Sequence, residues 1–331
     1  MKFSFIIPVY NRPEELEELL HSLSHQNYST DFEVVIIEDG STISSEQVCQ
    51  KYAQTLHLTY LSKPNTGPGD SRNYGMRHAK YDYFLILDSD CILPPHYLEE
   101  VDTFLERQYV DCFGGPDTAT DDFTDIQKAI NYVMTSLLTT GGIRGNQKTV
   151  QRFEPRSFNM GLSRKAFEAT GGFGKIHPGE DPDLVIRLWE QDFQTAFIPL
   201  AFVFHKRRIS WEQFRKQVSK FGQTRAILNH WHPQTRKLTF WLPTCFALGM
   251  CAALGLALLG YIWALVVYLC YLLLIGWDSS REHRSMKIGV LSVWAVLVQF
   301  FSYGFGFLWA TMKIKSTKRP MEEVFPRLFF R

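Results

Sequence analysis

The chain has 331 residues, 45% of them apolar and 21% charged, with a net charge of +1. At about 150 residues per domain this length holds roughly two domains; it excludes a disulfide-stapled mini-protein, and the apolar share excludes a disordered chain. The near-neutral balance excludes a global electrostatic pull toward nucleic acid, so no nucleic-acid partner is expected and only local patches matter.

The apolar run at residues 3–9 reads as a strand, not as the core of a signal peptide. Further β-branched apolar runs follow at 33–38, 58–61 and 83–87. Between the first two, residues 13–25 have Pro13 at a first helical position and Leu16, Leu19, Leu20 and Leu23 on one face, a helix pattern. Such alternation predicts an α/β fold with a mostly parallel sheet covered by helices. Ligands of such sheets bind beyond the carboxyl ends of the strands. The cysteines (Cys49, Cys91, Cys112, Cys245, Cys251, Cys270) form no CxxC pair and no metal-like spacing, as expected of free thiols in a reducing compartment.

Each of these strands ends in polar, turn-forming or acidic residues: Pro8-Val-Tyr10-Asn11-Arg12, Glu38-Asp39-Gly40, the stretch from Asn65 and Gly67 to Arg72-Asn73, and Asp88-Ser-Asp90. One such turn usually only caps the next helix, whereas four converging on one sheet edge describe a site. Asp88 and Asp90, after the run Leu85-Ile86-Leu87, suit a hard cation held together with substrate phosphates. Asp39 can accept from a base imide or a ribose hydroxyl; the alternative is an Asx-turn or an N-cap before a helix at 44–54. The stretch Gly67-Pro-Gly69-Asp-Ser-Arg72 lacks the third glycine of a dinucleotide fingerprint and follows a third strand. That argues against a nicotinamide enzyme and turns Arg72 and Asn73 toward a nucleotide or its phosphates.

These elements, continued by Asn159-Met-Gly-Leu-Ser-Arg164, Gly171-Gly-Phe173 and Gly179-Glu180-Asp181-Pro-Asp183, resemble the family 2 glycosyltransferases of the GT-A fold over residues 3–205. The resemblance implies inverting sugar transfer from a nucleotide-activated donor, a UDP-sugar first and a GDP-sugar second, with Mn2+ or Mg2+. It implies that Asp39 contacts the base, Asp88 lies near the ribose, Asp90 holds the metal with His205 as a second ligand, and Asp181 is the general base beside Glu180. It further implies that Pro8, Tyr10, Asn11, Arg12, Asn65, Gly67, Arg72 and Asn73 line the nucleotide-sugar, and that Asn159 and Asp183 line the acceptor. A structural role for His205 carries equal weight, and Asp181 also suits a helix N-terminus by its charge. The residue types match the chemistry: a cation neutralises the departing diphosphate, and a carboxylate takes the acceptor proton.

Residues 210–229 read as an amphipathic helix, with Trp211, Phe214, Val218 and Phe221 among basic residues. Residues 238–277 and 288–312 contain no charge, and each exceeds the roughly 20 apolar residues that cross a bilayer. The first stretch would be about 60 Å long as one helix, so two helices turning at 255–260 are expected, with a third at 288–312. Residues 203–237 carry nine Lys and Arg, Lys206, Arg207 and Arg208 among them, against the single Glu212, which orients the front domain to the cytoplasm. The expected organisation is a catalytic domain at 1–209, a basic juxtamembrane helix at 210–237, two or three spans at 238–312 and a basic tail at 313–331. Processive synthases resembling the family carry Gln-x-x-Arg-Trp after this point; Gln223-Thr-Arg225 departs from it and favours single-sugar addition. The expected function is transfer of one sugar to a hydroxyl of a lipid-linked or other saccharide at the cytoplasmic face of the inner membrane. The alternatives are a polyprenyl-phosphate glycosyltransferase and a non-catalytic nucleotide-binding scaffold in the bilayer.

Overall fold

Strand β1 (Ser4–Val9) is an apolar run enclosed on both faces, as the centre of a parallel sheet requires. In the computed structural model, which describes residues 1–118, 123–140, 153–205 and 210–330, β1 pairs in parallel with β2 (Glu33–Asp39) and β4 (Tyr83–Leu87). Ser4 lies opposite Glu33 on one side and Phe84 on the other, and β2 carries β3 (His57–Lys63) on its outer edge. The sheet continues through β8 (Asn159–Ser163), antiparallel to both β4 and β6 (Cys112–Gly114), and ends with β9 (Thr195–Phe197) parallel to β6. The order is β3-β2-β1-β4-β8-β6-β9. A small second sheet sets β10 (Val203–His205) between β5 (Cys91–Ile92) and β7 (Asp117–Thr118).

The pleat of β1 divides the core. Phe5 and Ile7 pack with Leu16 and Leu19 of α1 (Pro13–Leu23), Tyr52 of α2 (Glu46–Tyr52) and Leu98 of α4 (Tyr97–Arg107). Ile6 points the other way, toward Met76 of α3 (Pro68–His78), Phe167 of α7 (Arg164–Thr170) and Leu184 and Leu188 of α8 (Glu180–Glu190). Helices on both faces leave the carboxyl ends of β1 to β4 along one edge.

The chain packs as two units: Met1–Thr120, Gln147–Lys206 and Phe329–Arg331 form the first, Asp121–Asn146 and Arg207–Leu328 the second. This differs from the expected cut at 209 in two places. Helices α5 (Asp125–Thr135) and α6 (Leu137–Thr140) belong with the helical unit, where Tyr132 donates to Asp278 at 2.6 Å and Lys287 pairs with Asp125 at 2.8 Å. Conversely, Phe329 and Phe330 of the expected tail belong with the first unit.

In the helical unit, α9 (Trp211–Trp231) opens on a capping box formed by Ser210 and Gln213. It is followed by α10 (Leu242–Leu258), α11 (Trp263–His283), α12 (Met286–Lys315) and the short α13 (Met321–Val324). The stretches 238–258, 263–283 and 286–315 are long and apolar enough to cross a membrane. The predicted turn falls at Gly260, whose φ of 92° is open to glycine. Outward side chains stay bare, Leu258 at 90% and Met286 at 82% exposure, as a lipid-facing surface would be. Small residues bring the helices together: a Cβ on Gly306 would lie 2.6 Å from the Ser219 carbonyl, and one on Gly304 2.7 Å from that of Pro243.

Candidate active site

The four strand ends are tied to one another in series. Asn11, after β1, adopts a left-handed φ of 54°, which Asn tolerates better than most residues. Its N–H donates to Ser41 Oγ at 2.8 Å, and its Oδ1 accepts from the N–H groups of Thr42 (2.8 Å) and Ile43 (3.0 Å). Asn65, after β3, donates to the Asp39 carbonyl at 2.9 Å. Buried Arg72 on α3 donates to Asp88 Oδ1 at 2.8 Å and to Glu180 Oε1 at 3.2 Å. Its guanidinium also lies 5.3 Å from the centre of the Phe173 ring. One side chain therefore links the turn after β4 with the start of α8, although Glu180 lies 108 residues beyond Arg72 in sequence.

Glu180 and Asp181 occupy the first turn of α8, where the helix dipole favours negative charge. Burial opposes the charge on Glu180, but His177, whose Nδ1 is 3.0 Å away, and Arg72 hold its carboxyl well below the ordinary range. Asp181 goes the other way. Burial and the neighbouring Glu180 charge push it up to about 6, against the pull of Arg72, Arg156 and Ser157. Its Oδ1 is buried with no hydrogen-bond partner among the described residues. A buried carboxylate oxygen left unpaired is costly, and it has the basicity and the vacancy to accept a proton.

Asp88 and Asp90 lie beyond β4. Asp90 Oδ2 accepts from Arg12 at 2.7 Å, and Asp88 keeps 35% of its side chain exposed. Among the described residues no three His, Cys, Asp or Glu side chains cluster as a metal cage. The donor set fits a hard divalent cation that takes its other ligands from diphosphate oxygens and water. His205 pairs through its backbone with Cys91, next to Asp90, while its side chain lies outside the described residues, as do residues 206–209.

Several of the expected site residues are also held by other parts of the chain. Asp39 is buried with both oxygens engaged: Oδ1 accepts from Lys63 Nζ (2.7 Å) and Thr66 N–H (3.0 Å), and Oδ2 from Gly67 N–H (3.0 Å). It fastens the loop that follows β3. Asn73 clamps the Phe173 backbone at both ends of its amide, at 2.8 Å each. Asn159 is wholly enclosed, accepting from Tyr97 Oη (2.7 Å) and donating to the Ala201 carbonyl (2.8 Å), which ties β8 to its surroundings. Asp183 accepts twice from Arg187, at 3.0 and 2.8 Å; Arg187 in turn holds the carbonyls of Thr170 and Gly172. Pro8 lies within β1, and Tyr10 is half exposed at the same edge.

Sequence reasoning missed His177, Lys63 and Phe330. A cavity of about 170 Å3 opens between Thr66, Gly69 and Asn73 on one side and Phe173, His177 and Phe330 on the other. Thr66 of the Asp39-anchored loop and His177, the partner of Glu180, both line it.

The profile of glycosyl transferase family 2 matches residues 4–171. The chain is 36% identical over 114 residues to poly(ribitol-phosphate) beta-N-acetylglucosaminyltransferase TarS of Staphylococcus aureus, covering 34% of this chain and 20% of that protein. It is 30% identical over 238 residues to chondroitin synthase of Escherichia coli, covering 61% and 34%. The chain thus spans only a fifth to a third of these relatives. Among solved structures, a mannosyltransferase of Pyrobaculum calidifontis in complex with GDP-Man and Mn2+ superposes with a TM-score of 0.62 at 18% identity, over 93% of this chain and 87% of that one. Residues 1–349 of S. aureus TarS in complex with UDP-GlcNAc give 0.51 at 17% identity, over 96% and 93%. The fold is therefore GT-A-like, and the chain belongs to glycosyl transferase family 2.

Proposed function

We propose that this protein is an inverting glycosyltransferase that moves one sugar from a nucleotide-sugar to a hydroxyl of a saccharide acceptor carried on a lipid, at the cytoplasmic face of the membrane. The observation that carries this reading is the Arg72 bridge, which holds the Asp88–Asp90 turn and the Glu180–Asp181 helix start at one sheet edge. The donor's diphosphate lies toward Asp88 and Asp90 and its nucleoside toward Tyr10, Arg12 and the Asn65–Gly67 loop that Asp39 fastens. Asp88 and Asp90 would hold the Mn2+ or Mg2+ ion, which supplies charge neutralisation for the leaving diphosphate.

Asp181 is the proposed base. Its unpaired buried oxygen takes the proton of the acceptor hydroxyl as that oxygen attacks the sugar carbon from the face opposite the diphosphate. Glu180, held charged by His177 and Arg72, keeps Asp181 basic. A phosphate acceptor is already anionic and needs no such base, so this pair favours a hydroxyl over a polyprenyl phosphate. The uncharged helices and the basic 203–237 segment support a membrane-bound enzyme facing the cytoplasm and an acceptor held at the bilayer.

The test uses the full chain purified in detergent, with release of nucleoside diphosphate followed over UDP- and GDP-sugars and lipid-linked saccharides. Turnover in the parental protein and its loss in Asp181→Asn and Asp90→Ala are expected. Donor binding with no turnover on any acceptor would support a non-catalytic nucleotide-binding protein instead.

A further inference from the structure

The segment around Phe330 reaches the site from the far end of the chain. Phe329 bridges Ile176 in antiparallel fashion, and the Phe330 N–H donates to the Lys175 carbonyl at 3.1 Å. The Phe330 ring then lies between two loops. On one side is Gly67, where a Cβ would overlap the ring outright. The φ of 93° there already restricts the position to glycine, so both backbone and neighbour demand the missing side chain. On the other side the ring meets His177, centroid to centroid at 5.6 Å and 53°. His177 is the group whose Nδ1 approaches Glu180 at 3.0 Å.

We infer that Phe330 is a positioning residue for the transfer reaction: its ring is a wedge that fixes His177 against Glu180 and so sets the first turn of α8, where Asp181 lies. The inference rests on the proposed role of Asp181. Two loops face the wedge. The Gly67 loop is already anchored to Asp39 by three hydrogen bonds, from Asn65 Nδ2, Thr66 N–H and Gly67 N–H, while the 174–177 loop meets the segment through the Ile176–Phe329 bridge, which includes the Phe330 N–H to Lys175 hydrogen bond, and the ring contact. Loss of the ring should therefore loosen the His177 side more than the Gly67 side. A misplacement of about 1 Å by a residue remote from the chemistry can cost on the order of 100-fold in rate. The effect should fall on kcat, since Asp181 acts after both substrates are bound.

The experiment compares Phe330→Ala, Phe330→Leu, Phe330→Tyr and His177→Ala in the full chain, each checked by thermal unfolding. About a tenfold loss of kcat at little-changed donor KM is expected for the Ala and Leu variants, with recovery in Phe330→Tyr. The Phe330→Ala/His177→Ala double variant should lose no more than the worse single one, because residues acting through one contact are not additive. If the Ala variant does not fold, the Leu and Tyr pair decides. Diethylpyrocarbonate modification of His177, read by peptide mass spectrometry, needs no turnover and should accelerate at least threefold in Phe330→Leu. A parental kcat in Phe330→Leu, losses that multiply in the double variant, or an unchanged modification rate would each overturn the inference. Absence of transfer in the parental protein would instead overturn the proposed function and leave the modification rate to decide the wedge.

Discussion

Glu180 and Asp181 are neighbours at the start of α8, yet their surroundings drive their protonation in opposite directions. His177 and Arg72 overcome burial to keep Glu180 charged, while burial and that very charge raise Asp181 to about 6. A base is competent only when unprotonated, so kcat/KM is expected to rise with pH through a limb near this value. Replacing Glu180 by Gln removes the charge that raises Asp181, and the limb should move to lower pH. Asp181→Asn should reduce kcat by about 100- to 10,000-fold, the usual range for a lost general base. A flat profile between about pH 5 and pH 8, measured with saturating acceptor, would contradict the assignment.

Much of this arrangement is legible in the residues themselves because it is local. The runs at β1 to β4, the apolar face of α1 and the uncharged helices each carry their own periodicity, which places strand ends and spans. What periodicity does not carry is partner choice across long separations. Asn159 sits in a motif, but whether its amide faces a ligand or the core depends on Tyr97 and Ala201, 62 and 42 residues away. Asp39 closes β2, one residue beyond the expected run, and the cation that pairs with it, Lys63, belongs to the next strand. Residues 123–140 join the helical unit through contacts such as Tyr132 to Asp278, which nothing in their own composition announces. Phe330 is one aromatic residue among 26 phenylalanines, and only the fold distinguishes it.

Arg72 is the second point at which the site can be broken. Its side chain is 4% exposed and Glu180's is 6%, so Arg72→Ala leaves a buried carboxylate with His177 as its remaining charged partner. Breaking such a pair by removing one partner costs about 3–5 kcal/mol. Thermal unfolding should fall accordingly, together with loss of transfer. Arg72→Lys restores one charge but not the fork that reaches Asp88 and Glu180 together. It should recover more stability than activity; equal recovery of both would mean that the bridge has no role in transfer.

The carboxylates after β4 make a metal prediction. Two Asp side chains with no third protein ligand among the described residues hold a cation weakly unless donor phosphates complete the shell. Chelation with EDTA should therefore abolish transfer, and added Mn2+ or Mg2+ should restore it. Asp90→Ala should not be rescued at the same cation concentration, and its donor affinity should lose its dependence on the cation. Full activity in EDTA, with the protein shown metal-free by elemental analysis, would remove the cation from the reaction.

The helical unit offers a prediction independent of chemistry. At Gly222 of α9 a Cβ would overlap the Tyr303 carbonyl of α12, and Phe307 N lies 2.9 Å from the same point, so two backbones meet with no room for a side chain. Backbone atoms cannot swing aside as a flexible side chain can, and Gly222→Ala must push the two helices apart. Overpacking of this kind costs about 1–3 kcal/mol. Gly255 on α10 is the matched control, since nothing lies within 4 Å of its Cβ position. Gly255→Ala should leave the melting temperature unchanged or raise it, because alanine is the better helix former. If both substitutions behave alike in a detergent thermal-shift assay, the close approach of α9 and α12 is not what holds this unit together.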